Sequence, residues 1–182
     1  MFFKSLEKLA ITAIGTAGAM GTITPNTHDI YADYLVSQSF NVSLPTAEII
    51  KEWRDGANAA SVAVPGRSEG LVITFKLEQL RNDLFVLLMG GATADTLPTK
   101  YSHAITRQAL YKSLAMTAHQ VGSTQFYMEI PYGLMTAGLM GNPTQDAQGK
   151  VELDCKFEAL TPINASGVLL EPWDSWDLLD KA

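Results

Sequence analysis

The sequence predicts a mainly β protein with one short helix, and three stretches carry that prediction. Leu71 to Leu77 alternates, with Leu71, Ile73, Phe75 and Leu77 on one face and Val72, Thr74 and Lys76 on the other. Val151 to Ala159 alternates more cleanly still: Val151, Leu153, Cys155, Phe157 and Ala159 against Glu152, Asp154, Lys156 and Glu158. A period of two is the mark of a strand with one face buried. Between them Leu80, Leu84, Leu87 and Leu88 recur at helical spacing, and the run closes on Gly90-Gly91. A glycine past a helix end supplies the left-handed conformation needed there, and Asn82 and Asp83 suit the first turn.

The chain has 182 residues, of which 47% are hydrophobic and 18% charged. At about 100–200 residues per domain, this is one domain with material for a real core. Residues 1–30 hold small residues and threonines with Gly15, Gly18, Gly21 and Pro25, and read as an extended N-terminal arm. The spacing Gly15-x-x-Gly18-x-x-Gly21 is not the dinucleotide-binding pattern. Lys4 and Lys8 precede a short apolar run, but Glu7 interrupts the basic stretch, so an arm is the better reading than a secretory leader.

Tyr34 to Leu44 reads as a strand ended by Pro45. Thr46 to Trp53 fits a second strand or a short helix capped at Thr46, with the strand favoured. Arg54 to Gly70 contains Asp55-Gly56 and Pro65-Gly66, turn signals that make it a long loop. Ala92 to Thr99 is a turn-rich linker, and Thr106 to Val121 has helical content, with a strand at Ser113 to His119 as the alternative. Phe126, Met128, Ile130 and Tyr132 share a face of a further strand. Gly167 to Leu170 is the last strand candidate, and residues 171–182 form a C-terminal tail.

Charge and motifs exclude several classes. Net charge is −6 and the basic residues are scattered, which opposes stable nucleic-acid binding. No apolar run approaches the length of a membrane-spanning helix. His28, His103 and His119 stand alone, and the single cysteine, Cys155, sits at an inward strand position, so no metal cluster or disulfide is expected. No catalytic residue or cofactor site is expected, and the chain is read as a non-enzyme. Glu152, Asp154 and Glu158 form either a solvated strand face or an acidic wall that repels phosphate backbones. Trp173 and Trp176 are either core residues or anchors in a neighbouring subunit.

The order of these elements resembles that of phage tail tube proteins, also called major tail proteins. The resemblance rests on Ile73-Thr-Phe-Lys-Leu77 through Leu84-Phe-Val-Leu-Leu-Met-Gly-Gly91, on the excursion between Tyr34 and Gly70, and on the late strands Val151 to Ala159 and Gly167 to Leu170. It covers roughly residues 30–172. It implies two packed antiparallel sheets, sandwich-like or barrel-like, flanked by the helix. It also implies six-fold rings of identical subunits stacked into a hollow tube within the virion tail, made in the host cytoplasm, in contact with other tail proteins and passing DNA without holding it. By position, Trp53, Arg54, Asp55, Arg67, Trp173 and Trp176 would contact neighbouring subunits, and Glu152, Asp154 and Glu158 would face the lumen. Two alternatives stand beside it. One is the tube of a related bacterial injection or secretion machine. The other is a monomeric β-sandwich binding module with Trp53 and Tyr101 around a shallow groove.

Overall fold

A computed structural model describes residues 6–23, 29–36, 38–44, 49–52, 62–65, 70–78, 81–94, 100–102, 109–120, 125–141 and 151–177. It is mostly β with one short α-helix among those residues. In chain order the elements are β1 (Leu6–Ala13), β2 (Asp29–Tyr31), β3 (Asn41–Ser43), β4 (Ile49–Glu52), β5 (Val62–Pro65), β6 (Val72–Leu77) and α1 (Asn82–Met89). They continue with β7 (Ala92–Ala94), β8 (Lys100–Ser102), β9 (Leu110–Ala118), β10 (Phe126–Gly141), β11 (Val151–Ala159) and β12 (Asp174–Asp177). Eight strands form one sheet in the order β2-β1-β9-β10-β11-β6-β3, with β12 beside the first part of β10. The pairs β4-β5 and β7-β8 stand outside it as hairpins.

β6 and β11 form as their alternation predicts, and they pair directly, Leu77 opposite Leu153 through Val72 opposite Glu158. Their inward side chains Ile73, Phe75, Leu77, Leu153 and Phe157 are buried. The helix is shorter than the pattern from Glu78 implied. It starts after Arg81, whose extended backbone precedes the first turn, and it stops at Gly90 (φ 74°). Leu84 and Leu88 seal it to the core.

Three expectations are corrected. Residues 6–13 are not part of an arm: β1 lies inside the sheet between β2 and β9. Leu9, Ile11, Ala10 and Thr12 are all buried, because residues 14–23 turn back across the outer face. There the Gly21 N–H donates to Ser113 Oγ at 3.1 Å and Thr12 Oγ1 donates to the Thr22 carbonyl at 3.0 Å. Within Thr106 to Val121, Leu110–Ala118 is strand β9 rather than helix, in line with the alternative reading of a strand at Ser113 to His119, and Ser113 through Ala118 are buried. A strand covered on both faces shows no alternation, so it cannot be told from a helix by periodicity. The region Tyr34 to Leu44 is not one strand. A 3-10 turn spans Ala32–Tyr34, Leu35 bridges Leu77, Gln38 adopts φ 61°, and only Asn41–Ser43 is strand. Within the tail, residues 174–177 form β12 against β10.

β10 is the spine of the sheet. Met128 and Ile130 face the core in its first part, but Gly133 and Met135 do so in its second. The parity changes at a bulge: Ile130 pairs with Leu114 and Gly133 with Lys112, which leaves one extra residue on β10. Pro131 sits there, where the missing N–H interrupts no ladder bond. Tyr132, expected to face inward with Ile130, instead stacks on Tyr111 at 5.3 Å between ring centroids.

The sheet curls on itself. Tyr31 pairs with Lys8 at one end of the strand order, and Leu35 bridges Leu77 near the other. In a flat sheet those two lanes would lie six strand spacings apart, about 29 Å. Four residues of chain reach at most about 14 Å. The two ends therefore come together, giving a barrel-like wrap around one core rather than two separate sheets.

Candidate functional site

The outward face of β11 carries Glu152, Asp154, Lys156 and Glu158, set by the same alternation that buries Leu153, Cys155 and Phe157. On β6, Lys76 lies opposite Asp154 and Thr74 opposite Lys156. On β10, Met140 lies opposite Glu152, Gly138 opposite Asp154 and Thr136 opposite Lys156. Lys76 Nζ reaches Glu152 Oε2 at 3.4 Å, and Lys156 Nζ reaches Glu158 Oε2 at 3.2 Å. Both ion pairs are partly solvated, so each stabilises weakly. Three carboxylates against two ammonium groups leave this β6–β11 face one unit negative. The expected acidic wall is thus a mixed row, with a surplus of one carboxylate.

A shallow recess of about 340 Å³ opens over Gly138, lined by Thr74, Thr136, Met140, Asp154 and Lys156. An added Cβ on Gly138 would meet nothing within 4 Å. Beneath the row, burial and the Asp154 charge push the Cys155 thiol up to about 12, so it stays protonated and unreactive at neutral pH.

The other expected residues divide. Trp173 is half-buried and packs against the core, which engages its ring within the subunit. Trp176 lies on β12 opposite Tyr127. Trp53, Arg54, Asp55, Arg67 and Tyr101, as well as His28 and His103, belong to segments or side chains outside the described residues. His119 is exposed. Among the described residues, no three His, Cys, Asp or Glu side chains come together as a metal site. No helix among them is long and apolar enough to cross a membrane.

No family model matches this chain, and no curated protein matches it in sequence.

Several features escaped the sequence reading. The Tyr127 hydroxyl donates to Glu129 Oε1 at 2.9 Å, and burial with that carboxylate raises the tyrosine well above its ordinary range. Lys112 occupies a core-side position of β9, opposite Gly133 and Ala13, and burial lowers its pKa. The segment Thr161–Leu170 is a small hairpin rather than a plain strand. Ile163 bridges Leu169, and Asn164 Oδ1 accepts from the N–H groups of Ser166 and Val168, both at 2.9 Å. Its Ile163, Val168 and Leu169 are exposed. The one available sequence signal was the absence of any ionisable residue from 159–170 and from 13–23.

Proposed function

We propose that this protein is a structural subunit of a virion tail tube, self-assembling into stacked hexameric rings around a channel for DNA. The observation that supports the reading best is the β6–α1 unit closing on Gly90-Gly91 beside the outward charged row of β11, on an antiparallel sheet wrapped around one core. The resemblance that suggested a tube rests on that order of elements. The mechanism is geometric and electrostatic. Subunits bury apolar surface against one another, and surplus carboxylates along the lumen keep a phosphate backbone from adhering. Glu152, Asp154 and Glu158 are the lumen candidates, and Asp154 supplies charge that the two ion pairs leave uncompensated. The subunit acts without catalysis or cofactor.

Negative-stain electron microscopy across a concentration series tests the reading. Rings or hollow tubes of uniform width are expected. Small particles of one size at every concentration would count against it. They would favour a monomeric binding module, a reading that the half-exposed Tyr111, stacked on Tyr132, supports. Replacing Glu152, Asp154 and Glu158 together by lysine should leave assembly intact and impair DNA delivery. Normal delivery by such virions would remove these residues from the lumen.

A further inference from the structure

We propose that the free edge of β10 at residues 137–141 pairs antiparallel with the same edge of a second copy of this chain, about a two-fold axis at Leu139. The contact closes on two copies, so it is separate from the ring and tube contacts proposed above.

The hydrogen-bond phase of the sheet exposes this edge. β10 pairs with β11 in unbroken register from Gly133 opposite Ala159 to Gly141 opposite Val151. β9 accompanies β10 on its other side only as far as Leu110 opposite Met135. The Leu160 N–H donates to the Tyr132 carbonyl at 2.9 Å, while the Ala159 N–H turns the other way, to the Leu71 carbonyl at 2.8 Å. Antiparallel pairs alternate between hydrogen-bonded and non-hydrogen-bonded. Even-numbered residues in this part of β10 therefore bond β11, and Ala137, Leu139 and Gly141 aim their N–H and C=O groups outward. Among the described residues no strand meets them. Residues 132–141 include no charged residue and no proline, the usual guards of an open edge.

Any extended strand would satisfy the backbone, so the side chains select the occupant. With Leu139 opposite Leu139 of the second copy, each Ala137 lies opposite a Gly141, and all three outward residues of both copies are bonded. Sliding one way sets Gly141 against Met135, which β9 already holds. Sliding the other way carries Ala137 past the end of β10. In the Leu139 register, Met140 falls opposite Gly138 of the other copy. That is the face on which the recess of about 340 Å³ opens, where a Cβ on Gly138 meets nothing within 4 Å. Met140 is 55% exposed and Leu139 53%. Non-hydrogen-bonded pairs bring side chains closest, and an unbranched methionine adapts to an irregular gap. Each copy thus supplies both the projecting side chain and the gap that receives its equivalent, while the two Leu139 side chains meet on the opposite face. A strand of unrelated sequence lacks this reciprocal fit. An interface this short belongs to the weak, reversible class.

The test is sedimentation velocity on the full chain over a concentration series below any onset of rings. Wild type should pass from monomer to dimer. Leu139→Lys places two ammonium groups together at the axis and should raise the dimer dissociation constant at least about tenfold. The replaced side chain is exposed, so the melting temperature of the monomer should not change. Two cysteine variants test the register under mild oxidation. Leu139→Cys brings two Cα atoms to about 5.5 Å, within disulfide reach, and should link the copies. Ala137→Cys leaves its two thiols about 14 Å apart along the strands and should not. The native Cys155 is buried and should stay unlinked. The proposal falls if wild type is monomeric throughout, if Leu139→Lys dimerises as tightly, or if Leu139→Cys links no more readily than Ala137→Cys. None of these results touches the tube reading, which fails or stands on the appearance of rings.

Discussion

Two glycines five residues apart on β10 make opposite predictions. A Cβ on Gly133 would collide with the Phe157 ring and approach the Glu158 carbonyl oxygen at 2.8 Å. The strands cannot part there without opening the core, so Gly133→Ala should cost about 1–3 kcal/mol. Gly138→Ala meets open space and restricts the unfolded chain, so it should be neutral or stabilise by up to about 1 kcal/mol. Urea midpoints of the two variants check both, and equal midpoints would refute the packing described for Phe157. Lys112 gives a pH prediction. Burial lowers its pKa below the usual 10.5, so the folded protein binds fewer protons than the unfolded chain in the window just under that value. Stability from this group therefore rises with pH through that window and is lowest at neutral pH and below. Lys112→Met should stabilise the protein near pH 7 by less than about 1 kcal/mol, because the group keeps partial contact with solvent. Its advantage over wild type should shrink as pH rises toward 10.5. An advantage that does not change with pH would mean the gain comes from packing rather than charge.

Elements were legible in the sequence where one face meets water and the other meets the core. β6 and β11 satisfy that condition, and their alternation placed both the core residues Phe75 and Phe157 and the outward row Glu152, Asp154 and Glu158. β1 and β9 do not satisfy it. They are covered on both faces, so Leu9-Ala-Ile-Thr12 lost its period and Leu114-Ala-Met116 passed for helix. β10 was legible only as far as Pro131, since the bulge exchanges its faces and moves Tyr132 out of the core set. The apolar hairpin at 161–170 was illegible for another reason: apolar residues are expected inside, and Ile163, Val168 and Leu169 are not. The end of α1 was plain from Gly90-Gly91 and carries its own test. Gly90 has φ 74° and ψ −169°, a region essentially reserved for glycine, and a Cβ there would press on Leu110 Cδ2 at 3.3 Å. Gly90→Ala should cost about 1–3 kcal/mol. Leu88→Ala, which empties a fully buried site on the same helix, should cost about 2–5 kcal/mol. Chemical denaturation measures both. A Gly90→Ala variant as stable as wild type would mean the chain leaves the helix by another route.

At the scale of the molecule the decisive segment is the one that joins the two ends of the strand order. Tyr31 is paired on β1, Leu35 bridges Leu77, the Val36 N–H donates to the Lys76 carbonyl at 2.8 Å, and the Glu78 N–H donates to the Tyr34 carbonyl at 3.0 Å. Tyr31 and Tyr34 meet edge to face at 5.8 Å within that short span. If this segment couples the ends, weakening it on the β6 side should be felt on β2. Val36→Pro removes the donor to Lys76 and should cost about 1–3 kcal/mol. The informative readout is amide hydrogen exchange at Ile30 on β2 and Val42 on β3, which lie at opposite ends of the strand order. With closure coupled, protection at both positions falls together and unfolding stays a single transition. If Val42 loses protection while Ile30 keeps it, the two ends open independently. The segment would then be a strap laid over an open sheet, leaving β2 and β3 as ordinary edges open to pairing with other chains.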